Sequence, residues 1–453
     1  MGFNAVQVQR GTTERGLSRR NEPVEIRGAV SYETVADNIV KLGSAKLEGM
    51  LNGLIACLAK QHVFPKKIDC VLDATDDEAT PKYKADGGGE VPHVTREKRP
   101  DVRFNRHAQK VKTTVWGWKI WVVWEPVSKI PLALRIDGIN EPDNKHAYDV
   151  LAQAEKNVAG HAVIRSVALD RGFLDGKLLW RIDQDGRYLY IPAKANMNVT
   201  ADAREIARRA AAEAARGRSL EGCHYQERHK TVTLGSGKNA STKTLTTVVV
   251  GIEALPCDFW GEEGSASSEK NKKSFEPKRL RATVVLRWDG STKEEDKEVV
   301  LLTNDPSPDP WVAFDAYDDR SLIENMCNRE AKESYFLERH PKRSEAGVRA
   351  QAYFVFFCMA LVSAFRAHKE KTEKPGQRTS DLGVTRYRRE LERQNRDKVA
   401  VFIGSHFGIF RSFEFGLLLG AHIRERAILG DSVDTVLARC GVMRPPPDRP
   451  DSS

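Results

Sequence analysis

The chain has 453 residues, of which 72 are Lys or Arg and 63 are Asp or Glu, giving a formal net charge of +9. Hydrophobic residues form 40% of the chain, which is enough for a folded core and excludes a wholly disordered protein. The longest apolar run, 353–365, is shorter than the roughly 18–20 residues of a membrane span. We therefore expect this run to be a buried core helix in a soluble protein with no membrane partner.

The basic and cysteine residues narrow the class of protein further. Basic residues cluster at 96–112, 270–281 and 386–398. Such clusters can neutralise phosphates, so they favour a polyanionic partner such as nucleic acid. The seven cysteines are widely spaced and form no CxxC pair, which argues against a zinc ribbon and against a disulfide framework.

The elements predicted before residue 200 follow the order of a mixed sheet. Helical spacing of apolar residues covers 31–61, and the pattern then changes to short runs that are typical of strands. The predicted strands are 68–73, 111–125, 130–136, 162–169 and 188–192, and the helices among them are 149–158 and 176–185. The segment 81–100 is rich in Gly, Pro and charged residues, which predicts a loop. A meander followed by two crossover helices predicts a mixed α/β sheet flanked by helices.

The second half of the chain returns to this pattern after an interruption. A helix is predicted at 201–218, strands at 231–253 and 282–304, and helices from 311 to 366. We therefore expect five segments: a loose arm and helical region (1–64), the first part of an α/β domain (65–200), a β-rich insertion (201–304), the last part of that domain (305–368), and a basic C-terminal region with a disordered tail (369–453).

Three acidic residues are candidates for metal-dependent chemistry. Asp73 ends one predicted strand, Asp170 directly follows another, and Glu324 lies on a predicted helix. Asp69, Asp76 and Asp77 stay open as alternatives to Asp73, which best matches the end of the strand. Mg²⁺ prefers oxygen ligands, and three carboxylates from separate elements can hold two such ions for phosphoryl transfer. An aspartate at a strand end is also a common turn former or helix cap, so the strand ends alone leave both interpretations open.

The segment around Glu324 adds weight to the chemical interpretation. Tyr317, Arg320 and Glu324 fall within an arc of about 60° on an ideal helix. This stripe could be a surface ladder of ion pairs. It could equally form a platform for metal and phosphate, with Arg320 as a bidentate phosphate ligand.

Several short motifs, taken in order, resemble the DDE transposases of bacterial insertion sequences. The aspartates are 97 positions apart, and the β-rich insertion precedes the glutamate. The spacing Tyr-x2-Arg-x3-Glu resembles the Tyr-Arg-Glu-Lys signature of the branch usually numbered four, and the resemblance covers about 65–365. The motifs are Leu72-Asp73-Ala74-Thr75, Trp116-Gly117-Trp118-Lys119 with 130–134, Asp170-Arg171-Gly172-Phe173, 191–194, Leu302-Thr303-Asn304-Asp305 and Tyr317-x2-Arg320-x3-Glu324.

This resemblance implies an RNase H-like catalytic domain. Asp73, Asp170 and Glu324 would ligate two Mg²⁺ ions, for which Mn²⁺ could substitute. The implied activity is strand cleavage at a transposon end, followed by attack of the freed 3′-OH on target DNA. The resemblance also implies a homodimer on double-stranded DNA. We expect a cytoplasmic, nucleoid-associated protein.

The lysine of the signature departs from the family pattern. It is expected seven residues after the glutamate, where this chain has Ala331, and Lys332 follows one position later. Three explanations remain open: a shift of the alignment, a π-bulge that absorbs one residue, or drift of the function. Lys332 is therefore a candidate DNA contact.

Further DNA contacts are expected outside the acidic site. Tyr317 and Arg320 would contact phosphates near the cleavage point, by the same resemblance. Charge alone suggests that Arg103, Arg106 and Lys110 track the DNA backbone. Trp288 lies in the insertion, where related transposases use an aromatic residue to hold a flipped base, but ordinary packing is the simpler interpretation.

Two other functions remain compatible with the sequence. The first is a DNA-binding derivative that keeps the fold without the chemistry, since the lysine is displaced. The second is a structure-specific nuclease of the same fold, which would cleave without joining. Region 1–64 could read the DNA ends, although it contains no clear helix-turn-helix.

Overall fold

The structure is a computed structural model that describes 37–38, 40–98, 111–234, 241–257, 278–289 and 298–372, with short pieces at 15–17, 23–25, 393, 398–403 and 406–411. The chain divides into two compact units, 42–368 and a unit formed by 1–41 with 369–453. In the terminal unit, Arg15–Leu17 pairs with Pro23–Glu25, and Lys398–Ile403 pairs with His406–Arg411, both antiparallel. The predicted disordered tail lies outside the described residues.

A ten-stranded sheet forms the framework of the larger unit. Its strands are β1 (Lys67–Ala79), β2 (His93–Lys98), β3 (Val111–Glu125), β4 (Ile130–Gly138), β5 (Val163–Leu169), β6 (Tyr188–Pro192), β7 (Cys223–Leu234), β8 (Ser241–Cys257), β9 (Lys278–Trp288) and β10 (Val299–Thr303). The strand order is β2-β3-β1-β5-β6-β10-β9-β8-β7, and β4 also pairs with β3.

The first half of this sheet has RNase H-like topology. Strands β1, β3 and β4 form an antiparallel meander, and β5 and β6 then add in parallel with β1. The parallel additions need crossovers, and helices supply them. The predicted mixed α/β fold flanked by helices is confirmed.

Seven α-helices and one π-turn accompany the strands of the described part of this unit. They are α1 (Ser44–Lys60), α2 (Ala147–Val158), α3 (Gly176–Gln184), α4 (Asn198–Ala214), α5 (Pro310–Leu322), a π-turn (Ile323–Asn328), α6 (Arg329–Glu333) and α7 (Glu345–Thr372). Helix α2 packs on α1, β3 and β4, whereas α5 packs on the insertion strands and on β1, β5 and β6. Trp118, Trp121 and Trp124 of β3 are fully buried, as their apolar strand predicts.

Two predicted boundaries are wrong. Strand β1 was expected to end at Asp73 but continues to Ala79, because β3 is long enough to pair with it as far as Trp116. The region 81–100 was expected to be loop throughout, yet β2 lies within it and pairs with the outer end of β3. In both cases a long partner strand overrides polar local sequence.

The β-rich insertion extends the central sheet. Strand β10 pairs antiparallel with β6 through Leu301 and Pro192, and β9, β8 and β7 follow outward in antiparallel order. The insertion and the first half of the domain therefore share one continuous set of backbone hydrogen bonds.

One described helix, Glu345–His368, is long and apolar enough to cross a membrane by length and composition. Half of its most apolar window is buried within the protein. Val348, Ala352 and Phe356 are fully enclosed. These contacts are those of a core helix, which is what the sequence predicted for 353–365.

Candidate active site

The two aspartates lie side by side, Asp73 within β1 and Asp170 directly after β5. The parallel pairing of β1 with β5 ends at Leu72 and Leu169, which are register partners. Asp73 comes directly after Leu72 in β1, and Asp170 comes directly after Leu169 at the end of β5. Neighbouring strands lie about 4.8 Å apart, so this register brings both side chains to the same edge of the sheet.

Arg320 connects the acids of the strands with the acid of the helix. Its Nη2 donates to Oε1 of Glu324 at 3.0 Å, and its Nη1 lies 3.7 Å from Oδ1 of Asp170. Burial opposes the charged form of the guanidinium, but Asp170 and the neighbouring acids outweigh it and raise the pKa of Arg320. A permanently charged arginine therefore offsets part of the negative charge of the three acids.

Asp73 is the most enclosed of the three acids. Its side chain is nearly buried, and this burial raises its pKa from 3.8 to about 6, against the opposing effect of Arg320. The negative charges of Glu324 and Asp170 add to the rise, which places both within electrostatic reach. A carboxylate in this setting gains from any additional positive charge, including a bound cation.

The predicted stripe on α5 is present. The guanidinium of Arg320 lies 5.5 Å from the ring centroid of Tyr317, and Glu324 follows one turn later at the start of the π-turn. An open cleft between α5 and the sheet is lined by Asp170, Arg171, Pro192, Ala193, Ala195, Arg204, Glu298, Val299, Val300, Tyr317, Arg320 and Glu324. The stripe thus faces a space that a ligand can enter.

The π-turn accounts for the displaced lysine. It spans Ile323–Asn328 and adds one residue between Glu324 and α6, which is the second of the three explanations above. Lys332 then lies against β1, where its Nζ donates to the carbonyl oxygen of Asp76 at 2.7 Å and pairs with Glu338 at 3.0 Å. Its contact with DNA stays a prediction.

Trp288 and the basic segment are the remaining predicted DNA contacts. Trp288 is partly buried at the end of β9 and packs edge-on against Phe314, with ring centroids 5.2 Å apart. Its role with a flipped base stays a prediction. Arg103, Arg106 and Lys110 lie outside the described residues.

Sequence reasoning missed two residues that support the site. Asn328 is buried and its Nδ2 donates to Oδ2 of Asp73 at 2.9 Å. Asp143 packs its carboxylate against Gly172, two residues after Asp170, and accepts from Nζ of Lys119 at 2.7 Å. Helical spacing counted onward from Glu324, with one extra residue allowed, places Asn328 on the same side of the helix and could have indicated it. No local sequence pattern indicates Asp143.

The donor chemistry of the site fits a divalent cation. Its three carboxylates supply the oxygen ligands that Mg²⁺ and Mn²⁺ prefer. Within the described residues, no group of three or more His, Cys, Asp or Glu side chains is gathered closely enough to hold a metal ion. Arg320 lies between two of the acids, so gathering them around a cation requires this arginine to move. The buried Oδ1 of Asn328, which has no hydrogen-bond partner in the described part of the chain, is a further oxygen beside Asp73.

Comparison with known proteins gives the family. A family model described as "Transposase DDE domain" matches residues 65–361, which is more than half of the chain, so the protein belongs to the DDE transposase domain family. Members of this family typically use divalent metal ions. No curated protein matches the sequence.

One solved structure that the chain resembles is that of piggyBac transposase in a synaptic complex with hairpin DNA. The sequence identity is 10% and the TM-score is 0.33, over 82% of this chain and 60% of that one. The chain thus spans three-fifths of the length of the piggyBac chain.

Proposed function

We propose that the protein is a DNA transposase that cleaves DNA at the ends of a mobile element and joins the freed 3′-OH to target DNA. The observation that carries this proposal is the position of Arg320 between Asp170 and Glu324, with Asp73 beside Asp170 on the neighbouring strand of an RNase H-like sheet. The Tyr-Arg-Glu spacing supports assignment to the insertion-sequence branch numbered four, in a bacterial cytoplasm.

The chemistry is two successive phosphoryl transfers. In the first, the oxygen of water bonds to a DNA phosphorus, the bond from phosphorus to the 3′ oxygen breaks, and the products are a 3′-OH and a 5′-phosphate. In the second, that 3′-OH bonds to a phosphorus of target DNA and displaces another 3′ oxygen. Neither step requires an oxidant or a covalent link to the protein.

The residues of the site divide this work. Asp73, Asp170 and Glu324 would hold two Mg²⁺ ions, with Mn²⁺ as a substitute. The bound ions would activate the attacking oxygen and stabilise the leaving oxygen. Arg320 has the planar fork that binds phosphate oxygens in a bidentate manner, and Tyr317 lies beside it on the cleft wall. Lys332 is a further candidate for the phosphate backbone.

The proposed partners follow from the substrate. Two transposon ends must be held together for joining, which favours a homodimer on double-stranded DNA. The excess of basic residues supports a sequence-independent contribution to DNA binding, which would weaken as salt is added.

An excision assay in cells tests the proposal. A plasmid carries the gene between its native flanking sequences, and the intact protein is compared with Asp170→Asn and with Asp69→Asn. Asp69 is exposed and pairs with Arg165 at the other end of β5, so it is a matched control. We expect loss of the element with the intact protein and with Asp69→Asn, and none with Asp170→Asn.

Purified protein separates the alternative functions. Cleavage and joining of duplex ends with Mg²⁺ or Mn²⁺ would support a transposase, and cleavage without joining would indicate a nuclease. Binding of the ends with no cleavage by the intact protein would indicate a DNA-binding derivative and would contradict the proposed chemistry.

A further inference from the structure

The π-turn after Glu324 has a structural consequence at β1. Between Ile323 and Asn328 the helix makes wider turns, so the residues that follow are rotated relative to a continuous α-helix. Single π-turns inside α-helices occur frequently at functional sites. Here the rotated residues meet the strand that carries Asp73.

Two polar contacts join this segment to β1. Asn328 Nδ2 donates to Oδ2 of Asp73 at 2.9 Å, and Lys332 Nζ donates to the carbonyl oxygen of Asp76 at 2.7 Å. They lie four residues apart on the helix side and three apart on the strand side. The helix that presents Glu324 is therefore fastened to the strand that presents Asp73.

The orientation of Asn328 is fixed by chemistry. A carboxylate only accepts hydrogen bonds, so the amide must present its NH2 group to Asp73. The reversed amide would set two acceptor oxygens against each other. The amide is 8% exposed, and its oxygen is buried without a hydrogen-bond partner in the described part of the chain. Burying a polar atom without a hydrogen-bond partner destabilises the folded state, so such an atom calls for a compensating role.

We propose that Asn328 is a positioning residue that fixes the carboxylate of Asp73 in the orientation needed to ligate metal, and that the π-turn brings it there. This inference rests on the proposed function in taking Asp73 as a metal ligand. A carboxylate with one oxygen held by an amide has fewer accessible rotamers, and its other oxygen is not engaged by that amide. Removing such supporting contacts typically costs about 10–100-fold in metal affinity or activity.

A second buried amide provides the matched control. Asn157 on α2 is 6% exposed, and its Nδ2 donates to Asn52 Oδ1 at 2.9 Å and to the carbonyl oxygen of Leu132 at 2.8 Å. It has the same chemistry and burial as Asn328, but its partners are an amide and a backbone carbonyl. Asn157→Ala therefore reports the cost of losing a buried amide without disturbing an acid.

The experiment compares Asn328→Ala, Asn328→Ser and Asn157→Ala by thermal unfolding of the full chain in a titration of Mn²⁺ without DNA. The serine hydroxyl is too short to reach Asp73 yet preserves a polar group, so it serves if the alanine variant does not fold. We expect the midpoint of the Mn²⁺ response to rise about 10-fold or more in both Asn328 variants. We expect Asn157→Ala to lower the unfolding temperature without changing that midpoint.

Two outcomes would overturn the inference. One is a folded Asn328 variant with the Mn²⁺ midpoint of the intact protein, and the other is an equal change in Asn157→Ala. Cleavage by the intact protein is scored separately. If it is absent, the proposed function fails, while the Mn²⁺ titration still decides the role of Asn328.

Discussion

The side chains of Asp77 and His340 contact each other at hydrogen-bond distance, and both are closed off from solvent. They are 263 residues apart in sequence, the His340 Nε2 lies 2.9 Å from Oδ2 of Asp77, and the side chains are 1% and 0% exposed. The other ring nitrogen of His340 lies 2.9 Å from the hydroxyl of Tyr83. The chain beyond α6 is thus tied to the end of β1 by a buried polar network.

We predict that replacing His340 causes a large loss of stability, and that the effects of replacing His340 and Asp77 are not additive. His340→Leu leaves the carboxylate of Asp77 buried without its partner, so we expect the free energy of unfolding to fall by about 3–5 kcal/mol. The added change Asp77→Asn removes the buried charge and should restore part of the loss. Chemical denaturation of the two single variants and the double variant measures the coupling. If the loss of unfolding free energy in the double variant equals the sum of the losses in the two single variants, the two residues are not coupled.

Gly117 lies against the backbone of Asp77, so we predict that adding a side chain there destabilises the protein. Its φ is +143°, and a Cβ atom there would clash with the carbonyl oxygen of Asp77 on β1. We expect Gly117→Ala to destabilise the protein by about 3 kcal/mol or more, because backbone must move. Gly160 also has a positive φ but an open surrounding, so Gly160→Ala should cost only about 1–2 kcal/mol. Chemical denaturation measures both variants, and similar losses of unfolding free energy would show that the close contact of Gly117 with β1 does not add to the cost.

Glu330 predicts a dependence of stability on pH. Burial raises the pKa of this carboxyl from 4.5 to about 7, against the opposing charges of Arg366 and Lys129. The folded state therefore holds the proton more tightly than the unfolded state does. Its contribution to stability is complete below about pH 4.5 and is lost as the pH rises to about 7, by at most about 3 kcal/mol.

The comparison of two glutamine variants checks this dependence. Glu330→Gln should flatten the decline of unfolding free energy between about pH 4.5 and 7 and raise stability at neutral pH. Glu333→Gln on the same helix is the control, since Glu333 is exposed. If both variants retain the slope of the intact protein, burial of Glu330 is not its source.

We predict that replacing Arg320 lowers the rate of DNA cleavage more than it lowers the stability of the protein. Arg320→Gln removes the positive charge that connects Asp170 with Glu324, together with the phosphate fork. We expect cleavage of DNA ends to slow by about 10²–10³-fold. Arg165→Gln, which breaks an exposed ion pair with Asp69 on the neighbouring strands, should cleave normally. Single-turnover cleavage rates of the two variants test this prediction. Equal rates would show that Arg320 does not take part in the proposed chemistry.

The elements that the sequence predicted best are those whose pattern is local. Strand β3 has the predicted bounds because its Trp and Val residues carry a continuous signal. The stripe of Tyr317, Arg320 and Glu324 followed from helical spacing alone. Strand β1 was cut short because its second half is rich in acids, and only the partner strand β3 reveals it.

The support around the acids could not be predicted for a different reason. The contact from Asn328 to Asp73 joins residues 255 positions apart and depends on one extra residue in a helix. The pairing of Asp77 with His340 likewise has no periodic signal. Spacing along one element predicts which side chains share a face, whereas contacts between distant elements depend on the assembled sheet.

The continuity of the sheet limits how the chain can be shortened. Because β10 forms hydrogen bonds with β6, removing the insertion (201–304) would deprive β6 of its outer neighbour. An apolar strand directly beside the one preceding Asp170 would then present open backbone groups, which invites edge-to-edge aggregation. In this protein, the β-rich insertion is an integral part of the sheet that carries Asp73 and Asp170.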